Sequence, residues 1–144
     1  MAYATLQDLI DRFGEKELVQ RTDRTNRPPT TIDATVAGEA LEGASSLADG
    51  YLAKVFALPL PSTPRVLLDK VCDVARYFLR DQTADDKSAV ARNYRDAIAW
   101  LRDVSTGVVK LDVGAGVAPE PAGGGAVRST AGERVFTPDS LRNF

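Results

Sequence analysis

At 144 residues, 44% apolar and 26% charged, the chain has the size and balance of one globular domain whose core needs neither disulfides nor metal. A net charge of −2 provides no overall attraction to nucleic acid or an anionic membrane, and no apolar run is long enough to span a bilayer. There is no His and a single Cys, Cys72, which removes the usual imidazole base, an imidazole-activated nucleophile, a zinc site and an internal disulfide.

Carboxylate or lysine chemistry remains open in principle, but the expectation is a protein that is not an enzyme, with no cofactor and no metal. Met1 leads straight into a helical pattern with no basic-then-apolar leader, so a reducing cytoplasm is the expected compartment.

Residues 5–13 read as a short helix. Leu6, Leu9, Ile10 and Phe13 recur at helical spacing, Thr5 with Asp8 three positions on has the capping-box pattern, and Gly14 suits the stop. A second short turn over residues 15–20 offers Leu18 and Val19. A polar loop over residues 21–31 follows, with Pro28 and Pro29. It carries Arg21, Arg24 and Arg27, which suit either a solvated loop or a face meeting DNA phosphates or an acidic face of a partner protein. Lys and Arg number 15 against 16 Asp and Glu in residues 1–111, and 3 against 4 in residues 112–144. Neither part is a basic clamp, which disfavours sequence-specific DNA binding.

The spacing then predicts a helix over residues 32–54, capped by Thr30 or Thr31. Ala37, Ala40, Leu41, Ala44, Leu47, Ala48, Tyr51, Leu52 and Val55 share one arc, opposite Glu39, Glu42, Ser46 and Asp49. Gly38, Gly43 and Gly50 each cost about 1 kcal/mol relative to Ala inside a helix; they read as a marginal helix rather than as sites of close approach. The run Ala57-Leu-Pro-Leu-Pro-Ser-Thr-Pro64 breaks the pattern.

A central helix over residues 64–80 is predicted next, with Thr63 as cap and Pro64 in its first turn. Leu67, Leu68, Val71, Cys72, Val74, Ala75, Phe78 and Leu79 form the widest apolar face in the chain, with Cys72 and Phe78 expected to be buried. Asp69, Asp73, Arg76 and Arg80 form a polar stripe. The two acids at i, i+4 could hold a hard cation, but acids toward the N-terminus and bases toward the C-terminus suit a solvated stripe aligned with the helix dipole.

A further amphipathic helix is predicted over residues 84–105, with Thr83 as cap, Asp85 and Asp86 as first-turn acids and Gly107 just past the end. Val90, Tyr94, Ala97, Ile98, Leu101 and Val104 face the core, with Leu101 near the middle of the arc.

Composition shifts after Leu111: residues 112–144 hold six of the eleven glycines and three of the eight prolines. Gly114, Gly116 and Gly123 to Gly125 lack the strand–loop–helix frame of a phosphate loop. Such a segment cannot bury enough apolar surface to fold alone, yet it ends in Arg134-Val-Phe-Thr-Pro-Asp-Ser-Leu-Arg-Asn-Phe144. Val135, Phe136, Leu141 and Phe144 make residues 134–144 look like a docking peptide on a leash. The fold class is therefore all-α: a helical domain over residues 1–111, with three longer helices and short N-terminal ones, and an extended arm over residues 112–144. Residues 108–111 and 134–137 are β-prone enough for short strands.

The opening Met-Ala-Tyr-Ala-Thr-Leu-Gln-Asp-Leu-Ile-Asp-Arg-Phe-Gly-Glu-Lys-Glu-Leu resembles the start of the head–tail connector (neck) family of Mu-like phages and prophages. So do Asp49-Gly-Tyr-Leu, Ala57-Leu-Pro-Leu, Cys72-Asp-Val-Ala-Arg-Tyr, Tyr94-Arg-Asp-Ala, Trp100-Leu-Arg-Asp-Val and the closing Arg134-Val-Phe-Thr-Pro-Asp-Ser-Leu. These cover most of residues 1–111 and the terminal arm, and none is a catalytic signature. The resemblance implies a virion protein of the neck region, assembled in the host cytoplasm. It implies a ring of about twelve copies of the chain, contacts with a portal protein and a tail-side terminator or completion protein, non-specific passage of DNA, and no membrane. On the residues alone, a small helical regulatory protein binding DNA or a protein partner is the alternative.

Overall fold

The computed structural model of the chain describes residues 2–80 and 87–114. Among the described residues five helices follow in order: α1 (Leu6–Phe13), α2 (Glu15–Thr22), α3 (Ala34–Leu52), α4 (Arg65–Phe78) and α5 (Ala89–Ser105). The described part is all-α.

Local chemistry sets the boundaries. Thr5 and Asp8 form the reciprocal capping box at α1. Gly14, at φ +87°, turns the chain between α1 and α2 while its N–H donates to Ile10 O at 2.8 Å. Gly107, at φ +80°, ends α5, and the Val108 N–H folds back onto Asp103 O at 2.9 Å.

Three helix starts differ from the sequence reading. Asp33, not Thr30 or Thr31, caps α3, accepting from the Thr35 and Val36 N–H groups; the Thr30 and Thr31 N–H groups are instead drawn to Asp23. Pro64 is the cap residue of α4 rather than part of its first turn, and its carbonyl accepts from Leu68 N at 3.1 Å, so Thr63 has no capping role. Ser88 caps α5, five residues later than expected; Thr83, Asp85 and Asp86 lie outside the described residues. Residues 108–111 form a turn and irregular chain, not a strand, because the backbone there is committed to closing the end of α5. Residues 134–137 lie outside the described residues.

α3, α4 and α5 pack on one another, and α1 and α2 lie against α3 and α4. Leu41, Ala44, Ala48 and Leu52 of α3, Leu67, Val71, Cys72, Val74 and Ala75 of α4, and Ala97, Leu101 and Val104 of α5 are buried, joined by Leu9 and Leu18. A buried Leu or Val contributes about 1.5–3 kcal/mol, so this cluster is the main stabilising term. Val113 also belongs to it, held by Ser62, whose hydroxyl donates to Val113 O at 2.8 Å. The glycines of α3 divide as their surroundings dictate: a Cβ at Gly38 or Gly50 would meet open space, and one at Gly43 would touch the Phe78 ring at 3.5 Å, an ordinary contact.

A candidate assembly surface

Phe78 departs from expectation. It falls on the apolar arc of α4, yet it is 40% exposed: its ring lies beside Gly43 of α3 and Tyr94 of α5, and the open hollow next to it leaves one side uncovered. Beside it, Tyr77 stacks on Tyr94 of α5 with centroids 3.9 Å apart and planes 12° from parallel. Phe78 meets both rings at an angle, its centroid 6.5 Å from Tyr77 and 6.4 Å from Tyr94. The Arg80 guanidinium lies 4.0 Å over the Tyr77 ring.

A hollow of about 230 Å³ opens on each side of this aromatic ridge. One is lined by Tyr77, Ala91, Tyr94 and Arg95, the other by Arg24, Val36, Glu39, Ala40, Phe78 and Leu79. Aromatic faces, aliphatic walls and charges of both signs at the rim can grip a polypeptide carrying large apolar side chains.

The three arginines singled out in the sequence do not act together. Arg21 is part of α2, half-buried, and paired with Glu17 at 3.3 Å, so the expected loop begins after it. Arg24 is exposed at the rim of the hollow beside Phe78, and Arg27 is exposed in the loop before the cis peptide bond to Pro28. The loop itself is organised by Asp23, whose carboxylate accepts from the Thr25, Asn26, Thr30 and Thr31 N–H groups and the Asn26 side chain. Those bonds, the Thr30 N–H first, hold its carboxyl far below the usual aspartate range.

The polar stripe of α4 is not solvated. Arg12 of α1 donates to both oxygens of Asp73, which is almost fully buried, at 3.1 and 3.2 Å. It also lies 2.8 Å from Asp69, a close ionic contact without hydrogen-bond alignment. Arg76 makes a two-point contact with Glu17 of α2 at 2.7 and 2.8 Å, and its guanidinium lies 4.5 Å over the Phe13 ring. Asp69, Asp73 and Arg76, which read as part of a solvated stripe, form the seam joining the N-terminal helices to α4, while Arg80 lies over Tyr77, and among the described residues no group of acids gathers as a metal site.

Tyr3 completes that attachment: its N–H donates to the buried Ser45 hydroxyl at 3.1 Å and its phenol to Asp49. Burial, then the Asp49 contact, pushes its pKa upward. Cys72 is buried as expected, and burial pushes its thiol up to about 12, so it stays a protonated, apolar filler at neutral pH.

At the other end of the bundle, a hollow of about 220 Å³ is lined by Val55, Phe56, Val104, Gly107, Val109, Lys110 and Leu111. Here the chain runs toward Gly114. The proposed docking residues Val135, Phe136, Leu141 and Phe144 lie outside the described residues. Sequence reading placed Phe78 and Tyr94 in the core and passed over Tyr77 and the nearness of Arg24; the adjacent aromatic pair Tyr77-Phe78 at a helix end was the available signal.

The described residues form a small helical bundle with an aromatic ridge between two hollows at one end. The chain belongs to the family described as Bacteriophage Mu, Gp36, whose model matches residues 3–129. It is 34% identical over 140 residues to "Gene product J" of Escherichia phage Mu, a match covering 95% of each protein. It is also 33% identical over 130 residues to "Mu-like prophage FluMu protein gp36" of Haemophilus influenzae, covering 90% of this chain and 89% of that relative. It is a phage or prophage protein, and among the described residues no helix is long and apolar enough to cross a membrane.

Proposed function

We propose that the chain is a structural virion protein of a tailed phage, one subunit of a connector, or neck, ring between portal and tail through which the genome passes unread. The observation that carries this reading is kinship with phage and prophage proteins along nearly the whole chain, arm included. The architecture suits the role. Three packed helices with short N-terminal helices joined to them by ion pairs make a stiff wedge, with hollows at both ends for neighbours. Beyond Gly114, Val135, Phe136, Leu141 and Phe144 supply a tie whose modest individual strength is multiplied around a ring. In this reading the protein works by assembly with its own copies, the portal and a tail-side terminator or completion protein. It catalyses nothing and reads no DNA sequence.

Electron microscopy of the full chain, alone and with the portal, tests this. The expected result is closed rings of about twelve copies seated on the portal axis. A dimer that binds DNA with strong salt dependence would overturn the reading in favour of a regulator. A chain ending at Gly114, which retains the buried Val113, is expected to melt cooperatively as a helical protein but to lose stable rings. Rings as robust as those of the full chain would remove the arm from the mechanism.

A further inference from the structure

Resting on that ring reading, we infer that the ridge of Tyr77, Phe78 and Tyr94 receives residues 134–144 of a neighbouring copy of the same chain. Three observations converge on this occupant. The first is chemical. The ridge exposes an aromatic ring between two hollows of about 230 Å³ each, and the last eleven residues carry Phe136, Leu141 and Phe144 at spacings that let more than one hollow be filled. Aromatic side chains meeting an edge-and-face cluster gain contact beyond simple area burial.

The second observation is reach and direction. Phe78 ends α4 beside the first half of α3 and the start of α5, whereas Val113 is fixed at the opposite end by Ser62. The chain therefore leaves about 20 Å away along α4. Thirty residues follow Gly114, enough when extended to span up to about 100 Å. A contact in which one end of each subunit gives and the other end receives is of the heterologous type, which closes a ring when its rotation closes.

The third is charge. The rim beside Phe78 carries Arg24 and Glu39, one charge of each sign, and the segment carries Arg134, Asp139 and Arg142 around its apolar residues. The hollow at the other end, lined by Val55, Phe56 and Leu111, has one charged residue, Lys110, and adjoins the segment's own point of departure.

The test uses the full chain with a photoreactive benzophenone amino acid in place of Phe136, mixed with an isotopically heavy, otherwise unaltered full chain and irradiated as the assembly forms. The expected result is light-to-heavy cross-links on peptides containing Tyr77, Phe78 and Tyr94. Phe78→Ser in the heavy chain should lower their yield by about tenfold or more, as loss of a central aromatic contact does, with helical content unchanged by circular dichroism. Cross-links confined to one chain, concentrated around Val55, Phe56 and Leu111, or absent would overturn the inference. Electron microscopy of the same samples separates the two levels: rings with cross-links elsewhere remove this contact and leave the ring reading standing, whereas no rings removes both.

Discussion

Along most of α4, Leu67, Val71, Cys72, Val74 and Ala75 are sealed between α3, α5 and the N-terminal helices, and even the charged Asp73 is covered. In the last turn, Phe78 continues the same apolar stripe and is 40% exposed. The side chains are alike in kind; what differs is how closely the neighbouring helices approach, since a hollow stands open beside Phe78 while the next residue, Leu79, is buried. Apolarity therefore serves two purposes on one helix. Where partners surround it, it stabilises the subunit; where they leave a gap, it leaves a surface able to stabilise an assembly.

The largest expected effect contrasts these regions directly. Leu101 is fully buried in α5, and Leu101→Asp places an unpaired charge in the core, costing several kcal/mol against a total stability of about 5–15 kcal/mol. No folded protein is expected. Phe78→Ser should lose only about 1–2 kcal/mol and keep its helical circular dichroism. A soluble Leu101→Asp variant with native melting would show that this face, too, is a contact surface rather than core.

Next in size is the ionic seam. Asp73→Ala leaves Arg12 half-stranded against Asp69, and because Arg12 keeps some access to water the expected loss is about 1–3 kcal/mol in a denaturant midpoint. Replacing both partners with apolar residues, Arg12→Met with Asp73→Leu, should cost less than Asp73→Ala alone. If the single and double variants lose the same stability, the seam is solvated after all and contributes little.

The interiors of the helices were readable because periodicity reports burial locally: the arcs of α3 and α5 point inward as their spacing implies. The starts were less readable because capping is a competition. Thr30 and Thr31 looked suited to cap α3, but the bonds from their N–H groups to Asp23, seven and eight residues earlier, hold them in the loop, and the helix starts only after Asp33, which caps it. The candidate surface was hardly readable at all. Glu17 meets Arg76 across 59 positions, and Arg24 and Phe78 line one hollow from distant parts of the chain, so no local pattern announces them. Phe78 itself shows the limit of a helical wheel, which gives direction from the axis but not how closely the neighbouring helices approach.

A smaller effect probes the sealed part of α4. Cys72→Ala should cost about 1–2 kcal/mol for a lost buried sulfur and leave assembly intact. With its thiol protonated by burial, native Cys72 should react with thiol reagents only as fast as the bundle opens. Rapid labelling of the native protein would contradict the difference drawn between the two ends of the helix.

The smallest expected effect concerns the loop that carries Arg24 to the aromatic ridge. Asp23 anchors it by accepting N–H groups at 2.9 to 3.3 Å, led by those of Thr30 and Asn26. Those bonds favour the ionised carboxylate, so its folded pKa lies below the unfolded value of about 4. The sign follows from proton linkage: below about pH 4 the unfolded chain takes up a proton at Asp23 that the folded chain does not, so this contribution falls as the solution is acidified. It is fully present above the unfolded pKa. Asp23→Asn keeps the size of the side chain but replaces one of its two acceptor oxygens with a donor, which faces N–H groups that are donors themselves. The variant should therefore be less stable at pH 7 and show a flatter dependence of stability on pH below 4, as read from urea midpoints across the acid range. Its amide exchange should rise over residues 24–31 while that of α4 and α5 stays protected, since the loop can open without unpacking the core. An unchanged acid slope would mean that the loop is held by its backbone alone, and that Arg24 reaches the ridge without help from Asp23.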